Sequence, residues 1–224
     1  DPYRIASGIK FTLSYFAAEG STYLPKDVLC EKAASLLEVS MEIVEESVLE
    51  MAFEGTLQME NMDGRINVFL MSFYMAEQKV CKRLAALNNA RLKPINASVE
   101  KLITQTERET GIELSDQQKR AVTLCMGEGV SVITGGPGTG KTTIINTIIR
   151  ILESSGLKVA IAAPTGRAAK RITETSGHYA STIHRLLDYT FQEEDAVMRF
   201  GRNEENPLEY DAIIVDEASM IDRM

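Results

Sequence analysis

Apolar residues recur at helical spacing from Ile9 to Ala18 and the run stops at Gly20, which predicts a helix closed by a glycine. KDVLCEKAASLL repeats that spacing just after Pro25, and proline is tolerated at a helix start because the first N–H groups have no intrahelical acceptor. MEIVEESVLEMAF is a third such run, with Ser40 placed as its N-cap and Gly55 just past its end. The period then changes from 3.6 to 2. TLQME and RINVFLM alternate around Asn61-Met62-Asp63-Gly64, and Asp-Gly between alternating segments signals a β-hairpin.

Three helices followed by a hairpin is the order of a small α+β winged-helix-like domain, assigned to residues 1–75. Its third helix carries Glu42, Glu45, Glu46, Glu50 and Glu54 and no Lys or Arg. In a major groove those charges face phosphates with no counterion-release gain, so a packing or protein-contact role is expected for this helix. Helical spacing resumes from Phe73 to Leu87 and from Ser98 to Thr110, around Asn88-Asn89 and Lys93-Pro94, giving a helical linker over 76–111. Lys79, Lys82, Arg83, Arg91 and Lys93 there either touch a phosphate backbone or form a solvated linker face. From residue 112 onward β-branched runs alternate with helical ones, the pattern of an α/β domain with a parallel sheet.

A chain of 224 residues suits one large domain or two small ones. No apolar run approaches the roughly 18–20 residues of a membrane span, so no membrane partner is expected. The chain opens on Asp1 with no basic-then-apolar leader, which reads as a fragment or processed chain. Cys30, Cys81 and Cys125 are far apart, without metal-ligand spacing, consistent with reduced thiols and a cytoplasmic location. The net charge of −8 conceals an asymmetry. Residues 1–60 carry eleven acidic against four basic residues, whereas residues 129–185 carry two acidic against seven basic. The basic excess falls where the chemistry does.

That chemistry centres on GGPGTGKT, residues 135 to 142, which matches G-x-x-x-x-G-K-[ST] at every fixed position. VSVIT (Val130 to Thr134) before it is strand-like, and TTIINTIIRILESSG after it is helical with a closing glycine. A glycine-rich turn opening a helix aims backbone N–H groups and the helix dipole at one spot, which favours a polyphosphate. Lys141 can reach the β- and γ-phosphates and the Thr142 hydroxyl can ligate Mg²⁺. A structural glycine turn is the alternative, and the flanking elements favour the phosphate loop.

Upstream, Ser115 in LSDQQKRAV is placed to cap a helix. The Gln118 amide offers the donor and acceptor that adenine N6 and N7 demand; a plain surface glutamine is the alternative. Downstream, DAIIVDEASM puts Asp216-Glu217 at the carboxyl end of an apolar strand, the phosphate-facing edge of a parallel sheet. There Asp216 can hold Mg²⁺ through water and Glu217 can orient the attacking water, unless the two acids merely cap the next helix. Between them, KVAIAAPTGRAAKRI reads as a strand, a Pro-Thr-Gly turn and a basic helix. Its Thr165 hydroxyl, the close approach allowed by Gly166, and Arg167, Lys170 and Arg171 suit the phosphates of a single strand. In STIHRLL, His184 is either a buried or capping histidine or a functional one. Asp188 to Glu209 is expected to be an exposed acidic excursion.

GGPGTGKTT, APTGRAAKRI, STIHRLL and VDEASM, in this order, resemble the superfamily 1 helicases of the RecD-like family. The resemblance covers residues ~112–224 well and residues 1–90 loosely. It implies a RecA-like P-loop lobe of an ATP-driven motor moving 5′→3′ on single-stranded DNA. Carried over by motif, Gln118 contacts adenine, and Gly135, Gly136, Gly138, Thr139, Gly140, Lys141, Thr142 and Thr143 hold the phosphates of ATP. Thr142 and Asp216 hold Mg²⁺, and Lys141, Asp216 and Glu217 are the catalytic set. Thr165, Gly166, Arg167, Thr182 and His184 touch DNA. The family's second lobe and its catalytic arginines have no counterpart before Met224, so a fragment inactive by itself is expected. A winged-helix adaptor attached to a nucleotide-binding remnant is a second reading. A kinase or an assembly-forming ATPase leaves APTGRAAKRI unexplained.

Overall fold

The computed structural model describes residues 1–192 and 197–221, and the chain divides into two compact units, Asp1–Ala86 and Leu87–Met224. The first unit begins with α1 (Pro2–Ala18), longer than its apolar pattern because the Asp1 carboxylate accepts from the Tyr3 N–H and Pro2 fits the first turn. Strand β1 (Tyr23–Pro25) leads directly into α2 (Lys26–Leu37), followed by α3 (Met41–Phe53), β2 (Leu57–Met62) and β3 (Arg65–Leu70). The hairpin turn is of the expected kind, with φ of 52° at Asp63 and 82° at Gly64, the doubly left-handed backbone of a type I′ turn.

The sheet order is β1-β3-β2, all antiparallel, with Leu24 opposite Val68 and Met59 opposite Val68 across the other edge. Strand β1 is the element the sequence pattern misses. Three residues are too few to show a period, and only the free edge of β3 makes them a strand. The core beneath this sheet is built from Ile9, Leu13, Leu29, Cys30, Val44, Val48, Leu57 and Val68, each buried. Ser40 occupies the N-cap position of α3 without a side-chain cap bond. Leu29 has no exposed surface, so Leu29→Ala should cost about 2–5 kcal/mol through lost transfer energy and a residual cavity. Urea denaturation of the polypeptide checks this, and an unchanged midpoint contradicts the packing described.

The division between the units falls within α4 (Met71–Asn88), and the second unit continues through α5 (Val99–Thr110), α6 (Asp116–Gly127) and α7 (Lys141–Ser154). Strand β4 (Val159–Ala163), α8 (Gly166–Ser176), β5 (Ala180–Thr182), the short α9 (Ile183–Leu186), β6 (Tyr189–Gln192), β7 (Val197–Phe200) and β8 (Ala212–Val215) complete it. Strands β5, β4 and β8 form a parallel sheet in that order, with Ala163 beside Thr182 and Ala162 beside Val215. This is the α/β fold of a RecA-like P-loop lobe. Helix α7 is apolar on two faces, as a helix between two layers must be. Ile144, Ile148 and Ile151 pack with Ile103, Leu114 and Val122, whereas Ile149 packs with Ile161, Ala169 and Ile172.

One expectation needs correction. Val130–Thr134 is not a strand: it joins no sheet among the described residues, the Val130 N–H donates to the Asn88 side chain instead, and Val132 is 83% exposed. A β-branched run becomes a strand only when a neighbouring edge takes up its N–H and C=O groups, and β8 is paired on its β4 side alone among the described residues. The acidic segment Asp188 to Glu209 is mostly exposed among its described residues, as expected, and it is partly ordered. It contains the antiparallel pair β6–β7, closed at its base by Arg202 on Asp188 at 2.9 Å and by the Gly201 N–H on the Asp188 carbonyl. Glu193, Glu194 and Asp195 lie outside the described residues, as do the last three residues of the chain. Among the described residues no helix is long and apolar enough to cross a membrane.

Candidate functional site

Glycine chemistry sets the shape of the 135–142 loop. Gly138 and Gly140 take φ of 75° and 83°, left-handed conformations that cost a residue with a Cβ. Gly140 is also the N-cap of α7, and a Cβ there meets the Gln118 Nε2 at 2.4 Å. The first intrahelical bond runs from the Ile144 N–H to the Gly140 carbonyl. The N–H groups of Lys141, Thr142 and Thr143 therefore have no acceptor within the helix and present the positive end of its dipole. Lys141 folds back over the loop, with Nζ at 2.6 Å from the Gly135 carbonyl and 2.9 Å from that of Gly136. The Thr139 hydroxyl donates to the Gly136 carbonyl at 2.9 Å.

Gln118 is tied to the same loop. Ser115 and Gln118 form a capping box at the start of α6: the Gln118 N–H donates to the Ser115 hydroxyl and the Ser115 N–H donates to Gln118 Oε1 at 2.9 Å. The remaining end of the amide, Nε2, donates to the Thr139 carbonyl at 3.1 Å. One N–H and one oxygen lone pair of the amide are left over for a further contact. The approach to α6 is fixed by Glu107, which accepts from the Leu114 N–H at 2.7 Å and pairs with Lys119 at 3.0 Å.

The acidic pair follows β8. The Asp216 N–H extends the ladder to the Ala162 carbonyl at 3.0 Å, and Glu217 has φ of 52°, leading into a 3₁₀ turn over Ala218–Met220. A left-handed glutamate is uncommon, and such backbone outliers gather at functional sites. Because β4, β5 and β8 are parallel, their carboxyl ends lie on one edge. That edge carries the Pro164-Thr165-Gly166 turn, Thr182 and Asp216-Glu217. Only residues 155–158 separate the end of α7 from the amino end of β4. Helix α7 therefore runs against the strands and brings its amino end, with the 135–142 loop, to the carboxyl edge.

The remaining candidates on this edge have structural duties. The Thr165 hydroxyl accepts from the Ala168 N–H at 3.2 Å and caps α8, leaving Gly166 and Arg167 in an exposed first turn. The Thr182 hydroxyl accepts from the Arg185 N–H and caps α9. His184 is half-buried, its ring 5.2 Å from that of Tyr189 and 6.4 Å from that of Phe200, an aromatic cluster built on the β6–β7 pair. Lys93 is paired with Asp211, whose other oxygen accepts from the Lys158 N–H at 2.8 Å. Neither this clip nor the Gln118–Thr139 bond has a sequence signal, since each joins residues distant in the chain. Among the described residues no cluster of three His, Cys, Asp or Glu side chains forms a metal cage. The donors present, one hydroxyl and one carboxylate, suit Mg²⁺, which retains waters and phosphate oxygens rather than a full protein shell.

Hydrogen bonding from the Leu114 N–H and Lys119 lowers the Glu107 carboxyl below its usual range, and Lys93 with the Lys158 N–H does the same to Asp211. Groups with depressed folded-state values stabilise the fold fully above their unfolded values, about 3.9 for Asp and 4.3 for Glu. That contribution is lost as pH falls through the lowered values. Denaturation midpoints between pH 3 and 7 should therefore drop on the acid side, and Glu107→Gln should flatten the drop. An equal acid dependence in the variant contradicts the assignment.

A family model described as an AAA domain matches residues 118–224. The chain is 44% identical over 108 residues to an ATP-dependent RecD2 DNA helicase of Deinococcus radiodurans, covering 48% of this chain and 14% of that protein. It is 33% identical over 177 residues to the RecBCD enzyme subunit RecD of Mycolicibacterium smegmatis, covering 69% of this chain and 30% of the relative. To the corresponding subunit of Haemophilus influenzae it is 34% identical over 158 residues, covering 57% and 22%. The chain thus spans less than a third of the length of each of these relatives.

Proposed function

Since the chain belongs to the RecD-like family of superfamily 1 DNA helicases, we propose that residues 112–224 are the ATP-binding lobe of a motor that moves 5′→3′ on single-stranded DNA in recombination or repair. The reading is supported by Asp216-Glu217 at the carboxyl edge of the parallel sheet and by the 135–142 loop at the amino end of α7, the helix that leads back into β4. The loop from Gly135 to Thr143 cradles the triphosphate, with Lys141 leaving its two carbonyls for the terminal phosphates. Gln118 reads adenine with its remaining amide N–H and oxygen lone pair. Thr142 and Asp216 hold Mg²⁺, which supplies charge neutralisation at the phosphates. Glu217 orients the attacking water and takes its proton as the new P–O bond forms and the bond to the β-phosphate breaks.

Thr165, Gly166 and Arg167, with Thr182 and His184, lie toward the strand path. Thr165 contributes there by fixing the α8 amino end rather than through a free hydroxyl. The first unit supports a protein contact more than a DNA one. Glu42, Glu46, Glu50 and Glu54 share the exposed side of α3 with Leu49, 53% exposed, and Phe53, 96% exposed.

Titration of the 224-residue polypeptide with fluorescent ATP and Mg²⁺, followed by a turnover assay with single-stranded DNA, tests the reading. Binding is expected with negligible hydrolysis, because a family arginine that neutralises the transferring phosphoryl group is worth roughly 10³–10⁵ in rate. Robust DNA-stimulated turnover by these residues alone contradicts the assignment of that arginine to another lobe. Absence of nucleotide binding favours the adaptor reading.

A further inference from the structure

Between α5 and α6 the chain turns within residues 111–115, and one side chain closes that turn. Glu107, in the last turn of α5, reaches forward so that its Oε1 accepts from the Leu114 N–H at 2.7 Å and from Lys119 Nζ at 3.0 Å. Only 16% of the Glu107 side chain is exposed, and a carboxylate covered to that extent is costly unless it is paired. Apolar packing already holds the turn down, since Leu114 is buried with Ile103, Val122, Ile144 and Ile148. What the carboxylate adds is direction: its bonds fix where the first turn of α6 begins.

The two donors stand on either side of the Ser115–Gln118 capping box. Leu114 immediately precedes Ser115, and Lys119 immediately follows Gln118. Within the box the Gln118 amide is held at both ends, Oε1 by the Ser115 N–H at 2.9 Å and Nε2 by the Thr139 carbonyl at 3.1 Å. An amide is planar, so these bonds set the directions of the N–H and lone pair left over. The contact with the phosphate loop has no slack, because a Cβ at position 140 would collide with Nε2.

We infer that Glu107 is a positioning residue for base selectivity: by gripping Leu114 and Lys119 around the capping box, it holds the free edge of the Gln118 amide in the orientation that distinguishes adenine. This rests on the reading of Gln118 as the adenine contact, and Glu107 itself touches no nucleotide. Adenine presents an N6 donor and an N7 acceptor, which match the amide oxygen and N–H. Guanine presents two acceptors there, O6 and N7, and the match fails. A displacement of about 1 Å is enough to forfeit a contact of this kind. Freeing the start of α6 therefore removes the preference for adenine while the buried Leu114 still holds the turn.

The test measures affinities for ATP, GTP and inorganic tripolyphosphate, each with Mg²⁺, on the 224-residue polypeptide. The wild type should prefer ATP to GTP about tenfold, the scale of a hydrogen-bonded base contact. In Glu107→Ala that ratio should approach one while tripolyphosphate affinity stays unchanged. Gln118→Ala should give the same ratio, and the double variant no further loss of ATP affinity, because both residues act through one contact. Glu107→Gln keeps an acceptor for the Leu114 N–H and should retain most of the preference. Lys119→Glu sets two carboxylates against each other at a partly exposed position and should lose it, which decides the matter if Glu107→Ala does not fold. A turn-closing role alone lowers the thermal midpoint of Glu107→Ala and leaves the ATP:GTP ratio at its wild-type value. That result overturns the inference, as does an equal loss for tripolyphosphate. If the wild type shows no preference, or Gln118→Ala leaves it unchanged, the adenine reading fails and takes this inference with it.

Discussion

Lys141→Ala should lower ATP affinity by roughly 10- to 100-fold, the equivalent of about 1.5–3 kcal/mol for a hydrogen bond to a charged group. The lysine is the cation of the 135–142 loop, and its ammonium already lies against the Gly135 and Gly136 carbonyls. Those bonds pin the head of a flexible side chain within the loop, so moving to the β- and γ-phosphates takes little rearrangement. Alanine removes the charge but leaves the left-handed Gly138 and Gly140 and the capped start of α7 intact. The thermal midpoint of the variant should stay close to wild type, because the two carbonyls it frees remain open to water. Isothermal titration with ATP·Mg²⁺ reads the affinity. An affinity within twofold of wild type means that the loop is a structural turn, and the adaptor reading then stands.

Glu217→Gln has the second large effect, and it separates binding from chemistry. In a polypeptide joining these residues to a second motor lobe, DNA-stimulated ATP turnover should fall by roughly 10²–10⁴, the usual contribution of a positioned general base. ATP affinity should hold within a few-fold, because glutamine preserves the shape and its carbonyl still orients a water. The left-handed backbone at φ of 52° costs glutamine and glutamate alike, so folding does not confound the comparison. A parallel loss of binding and turnover assigns Glu217 to the nucleotide or metal instead. Unchanged turnover removes it from the chemistry.

The local features of the fold were legible because each is decided within a few residues. The Asp63-Gly64 hairpin, the Ser115 cap and the glycine stops at Gly20, Gly55 and Gly111 all appear where the pattern puts them. The Val130–Thr134 strand was misread for the converse reason. Its residues fit a strand, but pairing depends on an edge contributed from far along the chain. His184 could not be decided from sequence, since the aromatic rings that pack on it belong to a β6–β7 pair hidden in an acidic stretch. Gln118 was singled out for its chemistry, yet the bond that ties it to Thr139 spans 21 residues and left no pattern.

The sequence by itself determined a glycine-rich loop that ends in a lysine and opens a helix, and an acidic pair that closes an apolar strand. Backbone conformation at Gly138 and Gly140, and the helix that follows, are set by local sterics and spacing, which one stretch of residues encodes. Tertiary structure alone decided that β5, β4 and β8 lie side by side in one parallel sheet with the acids at its carboxyl edge, and that Gln118 is bonded to the loop. Those facts depend on which strands run parallel and which helix faces meet, and packing settles them by burying apolar surface across distant parts of the chain.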